Sequence, residues 1–291
     1  MMPVVLVFGA GGQVGRALVE AGPTHGWTVR GLARDAVDIC DAASVKAAVA
    51  ATSPDAVVNA AAYTAVDKAE AEPATAGAIN TVAPGILADE AQRLGALLVH
   101  YSTDYVFDGA KPTPYIEDDV TAPLSAYGRS KRDGDLAIAA SGARYLILRT
   151  SWVYGLHGAN FMKTMLRLAR EHDELRVVDD QIGAPTWTRH LADATAMILA
   201  RDETPQGVYH LAAAGETSWH GYAEAIVAEA RVAGLLEKLP GVRRITSADY
   251  PLPALRPTNS RLDCSRFHRD FGLALPDWRT GLIDCLADAR F

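Results

Sequence analysis

Apolar residues come in short runs through the first half of the chain, separated by alanine-rich stretches of mixed polarity. Val4–Phe8, Thr28–Ala33, Ala56–Asn59, Leu97–Thr103 and Tyr145–Thr150 read as strands. The intervals between them are long enough for crossover helices. Asp41 can cap a helix over Ser44–Ala51, Pro73 can begin one that continues towards Leu94 with a bend or interruption at Pro84, and Tyr127–Ala140 is a third. Strands alternating with helices predict an α/β fold, a Rossmann-type doubly wound parallel sheet that takes ligands at the carboxyl ends of its strands. Past Thr150 the rhythm is less regular. Asn160–His172, Thr188–Ala200 and Ser218–Ala233 read as helices among loops rich in Gly, Pro, Asp and Trp. The expected division is a dinucleotide-binding domain over residues 1–155, with 185–211 returning to it as helix and strand. A smaller C-terminal substrate-binding lobe would then comprise 156–184 and 212–291.

Composition narrows the function classes. A net charge of −7 over 291 residues argues against a nucleic-acid surface, which needs a basic patch to neutralise phosphates, so a nucleotide partner should be a small molecule. The opening MMPVVLVFGAGG has no basic region before its apolar run and reads as a strand rather than a leader. No stretch approaches the ~20 apolar residues that span a bilayer, so no membrane partner is expected. Cys40, Cys264 and Cys285 show no paired spacing, which fits reduced thiols and a cytoplasmic protein.

Candidate chemistry lies just after the strands. Gly9, Gly12 and Gly15 follow the first strand and open a helix, the context in which glycines allow a tight turn, close approach of a pyrophosphate and close packing of helix on strand. After the second strand comes Leu32-Ala33-Arg34, with a guanidinium rather than a carboxylate near the adenine ribose. That predicts NADPH over NADH, although Asp35 next door would allow both. Tyr127 and Lys131, four residues apart, share a helical face, where the cation can lower the phenol's pKa and make it a usable proton donor. Thr103, ending a strand 24 residues before Tyr127, supplies a hydroxyl for the same carbonyl oxygen.

The glycine fingerprint, the Thr and the Tyr-x-x-x-Lys pair resemble the extended short-chain dehydrogenase/reductase superfamily. Six longer blocks are similar to the dTDP-4-dehydrorhamnose reductase family: Val58–Glu70, His100–Gly109, Arg149–Gly155, Asn160–Ala169, Asp179–Thr186 and Arg256–Asp263. The resemblance implies NADPH- or NADH-dependent reduction at C4 of a dTDP-4-keto-6-deoxy sugar, dTDP-4-dehydro-L-rhamnose. By motif it places Gly12, Gln13 and Val14 at the pyrophosphate, Asp38 and Ile39 near the adenine, and Ala62, Tyr63 and Thr64 along the cofactor groove. It assigns catalysis to Thr103, Tyr127 and Lys131, with Lys131 also reaching the nicotinamide ribose. Substrate contacts fall to Thr103, Asp104, Tyr127 and Trp152, and at the nucleotide end to Asn160, Arg256 and Asn259. Tyr63 stands where other members carry His, a change that a backbone contact tolerates. Some members are magnesium-dependent dimers, so Mg2+ and a homodimer enter as expectations, but no ligand cluster in the sequence locates an ion.

The same fold serves nucleotide-sugar dehydratases and epimerases. Dehydratases of the superfamily carry Asp-Glu after the catalytic Thr, whereas this chain has Asp104-Tyr105, which favours reduction over elimination. Epimerases keep the Thr, Tyr and Lys, so consumption of free cofactor separates them from a reductase. A third reading is a binding protein like the regulatory subunit of methionine adenosyltransferase, against which the complete trio counts.

Overall fold

The computed structural model describes residues 3–201 and 203–289. Strands β1 (Val4–Phe8), β2 (Thr28–Leu32), β3 (Ala56–Asn59), β4 (Leu97–Thr103), β5 (Arg144–Thr150) and β6 (Gly207–His210) form one parallel sheet in the order β6-β5-β4-β3-β1-β2. The longer helices are α1 (Gln13–Ala21), α2 (Ala42–Thr52), α3 (Ala83–Leu94), α4 (Ala126–Ala140), α5 (Phe161–Glu171), α6 (Thr188–Leu199), α7 (Trp219–Val232) and α8 (Trp278–Ala287).

Side chains that alternate along a strand supply two cores, one on each face of the sheet. Val5 and Val7 of β1 pack with Val99, Leu146 and Leu148 beneath α1 and α6, while Leu6 and Phe8 pack with Val57, Leu98 and Ile147 beneath α2, α3 and α4. A third core joins Met162, Met165, Tyr222, Ile226 and Leu282 of α5, α7 and α8 to Leu175 and Val177. The last two lie on a strand, Glu174–Val178, that pairs in parallel with Gly241–Ile245. Neither this ribbon nor α8 follows from the hydrophobic pattern. Among the described residues no helix is long and apolar enough to cross a membrane.

Local chemistry sets the helix ends. Asp41 accepts hydrogen bonds from the backbone N–H of Ala43 and Ser44, so α2 starts at Ala42, two residues before the expected start. The helix expected from Pro73 to Leu94 forms, with its interruption just ahead of Pro84: Pro73–Gly77, a wide π turn over Ala78–Val82, and α3 follow one another. Pro84 has no N–H to give the carbonyl four residues back, that of Asn80, which frees this oxygen. Gly134 of α4 packs against it so closely that a Cβ there would lie 2.0 Å from the Asn80 oxygen. The interruption therefore seats α4, the helix that carries Tyr127 and Lys131.

Candidate active site

Where β1 and β3 lie side by side, the chain leaves the sheet in opposite directions, and a crevice opens beyond their carboxyl ends. Gly9, at φ +83°, turns the chain so tightly that a Cβ would sit 2.5 Å from the Ala61 nitrogen, and a Cβ on Gly15 would sit 2.1 Å from the Gly9 oxygen. Only hydrogen fits at either position. The N-cap of α1 is Gly12, with no side chain to cap it, so the first N–H groups of the helix face the crevice, as an anionic pyrophosphate requires. Two depressions meet here. One, of about 960 Å³, is edged by Arg34, Asp35, Asp38 and Ile39. The other, of about 660 Å³, is edged by Gln13, Val14, Thr64, Thr103, Tyr127 and Lys131. Gly11, Gly12, Ala60, Ala61 and Ala62 belong to both. The two depressions share a floor of small residues, so they form one continuous groove.

The reacting groups collect at the deep end. Thr103 ends β4, and its hydroxyl accepts from the Tyr105 N–H (3.2 Å) and donates to Asp104 Oδ1 (3.1 Å). Tyr127 lies in the first turn of α4, which is capped by the Ser125 hydroxyl and by Glu70 Oε1, an acceptor for the Ala126 N–H at 2.7 Å. The Tyr127 ring meets Tyr105 edge-on at 5.5 Å. A Cβ on Gly128 would lie 2.2 Å from the Tyr105 oxygen, so the second residue of the Tyr-Gly-Arg-Ser-Lys run lets α4 press onto the loop after Thr103. The Asn80 carboxamide accepts from the Tyr63 N–H and donates to the Tyr63 carbonyl and Ser130 Oγ, tying the cofactor loop to α4.

Burial decides the charges. It raises the Tyr127 phenol above its ordinary value, opposed by a hydrogen bond with the Thr103 hydroxyl. Lys131 is fully buried, and burial lowers its ammonium to about 8 against the pull of Asp135. Its Nζ donates to the Tyr101 carbonyl (2.7 Å) and lies 2.9 Å from His100 Nε2. This corrects one expectation: in the free protein Lys131 is not the group that lowers the Tyr127 phenol. The i, i+4 spacing puts both on one face, but a buried amine must first find protein acceptors, and these lie on β4. Asp104, also fully buried, is pushed up to about 6 by desolvation, with the Ser260 and Thr103 hydroxyls opposing. Asp135 is likewise raised by burial, held down in part by Arg149 and Lys131.

Aromatic rings wall the outer end. Trp152 stacks on Trp219 at 3.6 Å and 9°, with Phe161 packed against Trp219. Trp152 holds a left-handed backbone, φ +48°, rare for a bulky residue. Its ring edge rests on Gly183, where a Cβ would clash at 2.6 Å. Thr150, Tyr154 and Tyr222 also edge this depression, but the Tyr154 hydroxyl turns into the core beside Gly281 of α8, and the Tyr222 hydroxyl lies buried with it. The apolar faces of the tryptophans suit a sugar.

The chain matches the RmlD substrate binding domain family over residues 2–291. It is 48% identical to the dTDP-4-dehydrorhamnose reductase of Burkholderia thailandensis over 98% of each chain. It is 45% identical to that of Escherichia coli K12 over 96% of this chain and 95% of that one. The chain belongs to the dTDP-4-dehydrorhamnose reductase family. Its backbone superposes on the crystal structure of the Bacillus anthracis dTDP-4-dehydrorhamnose reductase, solved with NADP, at a TM-score of 0.94, with 33% identity over 99% of this chain and 100% of that one. The UDP-glucose 4-epimerase of Thermotoga maritima, at 18% identity and a TM-score of 0.80, shares the fold.

In this member of the reductase family the anticipated residues fall into three groups. Gly9, Gly12, Gln13, Val14, Arg34, Asp38, Ile39, Ala62, Thr64, Thr103, Asp104, Tyr127, Lys131 and Trp152 edge the joined groove, and Gly15 packs beneath it. Asn160 reaches its rim but spends its carboxamide on the Lys163 N–H, Gln13 Oε1 and the Gly155 carbonyl. Three others point elsewhere. The Tyr63 hydroxyl donates to Glu72. Arg256 forms a two-pronged ion pair with Asp67. Asn259 gives its amide to the Lys111 and Thr113 carbonyls and its oxygen to Arg261, so both ends of its side chain are engaged in fastening loops. Sequence reasoning missed Asn59, Asn80, His100, Asp135 and Trp219. A signal existed for two of them: His100 alternates with Ser102 on the strand before Thr103, and Asp135 continues the Tyr127, Lys131 stripe one turn further. For magnesium, among the described residues no three His, Cys, Asp or Glu side chains converge as a metal cage requires.

Proposed function

We infer that this protein reduces the C4 keto group of dTDP-4-dehydro-L-rhamnose to give dTDP-L-rhamnose, with NADPH as the reductant. The observation that carries the reading is the meeting of Thr103, Tyr127 and Lys131 at the deep end of a dinucleotide groove, in a chain 48% identical to a reductase of that name over nearly its full length. When bound, the reduced nicotinamide supplies hydride to the carbonyl carbon. With substrate bound, the Thr103 hydroxyl, still accepting from the Tyr105 N–H, turns its one hydrogen from Asp104 Oδ1 to the carbonyl oxygen, and Tyr127 gives that oxygen its proton. An ammonium at Lys131 stabilises the phenolate left behind. Trp152 and Trp219 offer the sugar an apolar face.

NADPH is favoured over NADH on the same inference. Arg34 stands exposed at the edge of the adenine-side depression, and Leu32 and Ala33 before it carry no carboxylate to repel a 2′-phosphate. The Bacillus anthracis relative was solved with NADP.

The test is a coupled assay in which dTDP-glucose, a 4,6-dehydratase and a 3,5-epimerase generate the keto sugar for the purified chain. We expect stoichiometric loss of NADPH and formation of dTDP-L-rhamnose. Tyr127→Phe should lower turnover by roughly 10²–10⁴ with little change in cofactor affinity. Interconversion of sugars without net cofactor consumption would identify an epimerase instead, and near-normal turnover in Tyr127→Phe would remove the phenol from the mechanism.

A further inference from the structure

Behind Lys131 lies a buried hydrogen-bond chain that the reaction above does not use. Asn59 at the end of β3, His100 in the middle of β4 and Lys131 on α4 are each 1% exposed or less. Asn59 Oδ1 accepts from the Ala61 backbone N–H at 3.1 Å, and Asn59 Nδ2 lies 3.0 Å from His100 Nδ1. A backbone N–H can only donate, which fixes the Asn59 oxygen towards Ala61 and its NH2 towards the imidazole. His100 Nδ1 must then be the acceptor, so the single proton of the neutral ring sits on Nε2. That nitrogen faces Lys131 Nζ at 2.9 Å. An imidazole N–H opposite an ammonium would bring two donors together. The pair is satisfied when Lys131 is a neutral amine that accepts from His100 and donates to the Tyr101 carbonyl at 2.7 Å.

We propose that the Asn59–His100 pair is a positioning device for Lys131: it fixes the imidazole proton on Nε2, aims it at the lysine nitrogen, and so decides whether that nitrogen meets the active site neutral or charged. Burial lowers the Lys131 ammonium to about 8, so the neutral amine takes over as pH rises through that value, and the Asn59–His100 pair acts in the same direction. Asp135, the carboxylate on the same helix, already takes the Arg149 guanidinium of β5 at 3.2 Å and the Ser102 hydroxyl of β4 at 2.9 Å. Its Oδ1 is buried without a hydrogen-bond partner, 3.9 Å from His100 Nε2. Tyr127, the remaining titratable group on this face, is held as a neutral phenol by its burial. Burial and the neighbouring Lys131 also push His100 well below its ordinary value, so the ring carries one proton across the working range. Charging Lys131 requires the His100 proton to move to Nδ1 and the Asn59 carboxamide to turn over, which strips the Ala61 N–H of its acceptor. The cost of that exchange opposes the ammonium that stabilises the Tyr127 phenolate.

The proposal concerns two things that can be read apart, the tautomer and its consequence for turnover, and only the second rests on the reaction inferred above. Long-range 1H–15N spectra of 15N-histidine-labelled protein, with His100 assigned by its loss in His100→Gln, should show the Nε2–H tautomer at about pH 9, above the Lys131 value of about 8. An Nδ1–H ring or an imidazolium at that pH would overturn the proposal whatever the activity. Asn59→Asp keeps an oxygen for Ala61 but offers a second one to His100, and should switch the ring to Nδ1–H. Lys131 would then hold its proton to higher pH, moving the basic limb of the kcat/KM profile up by about one pH unit or more. If the limb moves while the tautomer stays, the added charge alone is responsible and the proposal fails. If the tautomer switches and the limb does not move, the pair does not govern Lys131.

Discussion

Asp104→Asn should gain stability over the parent as pH rises to neutral while working less well as an enzyme. Asp104 is 3% exposed; its Oδ1 receives the Thr103 hydroxyl, whereas Oδ2 is buried with no partner. Desolvation raises the carboxyl from 3.8 to about 6. At ~1.36 kcal/mol per pH unit, keeping it ionised in the folded protein costs ~3 kcal/mol. The sign follows from the proton balance. Below 3.8 the group is protonated folded and unfolded, and ionisation contributes nothing. Between 3.8 and about 6 the unfolded chain ionises first, so the folded state loses relative stability as pH rises, and above 6 the full cost applies. Asn does not titrate. Its stability relative to the parent should therefore grow by ~2.4 kcal/mol between about pH 4 and about pH 7.5, whatever constant offset the amide introduces. For 291 residues, an unfolding entropy of ~0.6 kcal/mol/K makes this ~4 °C in Tm. Calorimetric scans of both proteins at the two pH values give the number. A gap that stays constant, or narrows as pH rises, would refute the reasoning, because Asp104 would then be ionising in the fold without penalty. The same variant should turn over more slowly, since the Thr103 hydroxyl loses the carboxylate that orients it.

Two further outcomes follow from the groove. Arg34→Ala should raise the KM for NADPH by about tenfold, the loss of one exposed charge on a phosphate, and leave the KM for NADH nearly unchanged; equal effects on both would show that Arg34 does not read the 2′-phosphate. Trp152→Ala should raise the KM for the keto sugar at least several-fold before NADPH binding changes, because its ring walls the outer end with Trp219. Isothermal titration with NADPH alone separates the two, and a variant that loses cofactor affinity with unaltered sugar kinetics would put Trp152 on the wrong ligand.

The sequence by itself determined which residues face which way. Strand runs of four to seven residues and the glycines after β1 could be read directly because period and backbone permission are local properties: alternation assigns Val5 and Leu6 to opposite faces, and a Cβ at Gly15 has nowhere to go. The same local logic singled out Tyr127, Lys131 and Thr103, which the fold gathers in one cleft. The ribbon of Glu174–Val178 with Gly241–Ile245 and the packing of α8 escaped it, because short elements far apart in the chain are defined by partners rather than by their own periodicity. Only the tertiary structure decided what each polar group meets. A pattern of apolar positions specifies a face, but strand order chooses the neighbour, and a buried donor or acceptor acquires its role from that neighbour alone. Asp67 meets Arg256 across 189 residues, and Asn259 fastens loops. Lys131 turns from the phenol four residues away towards the Tyr101 carbonyl on β4, because in a dry interior the nearest acceptor governs where a buried donor can rest.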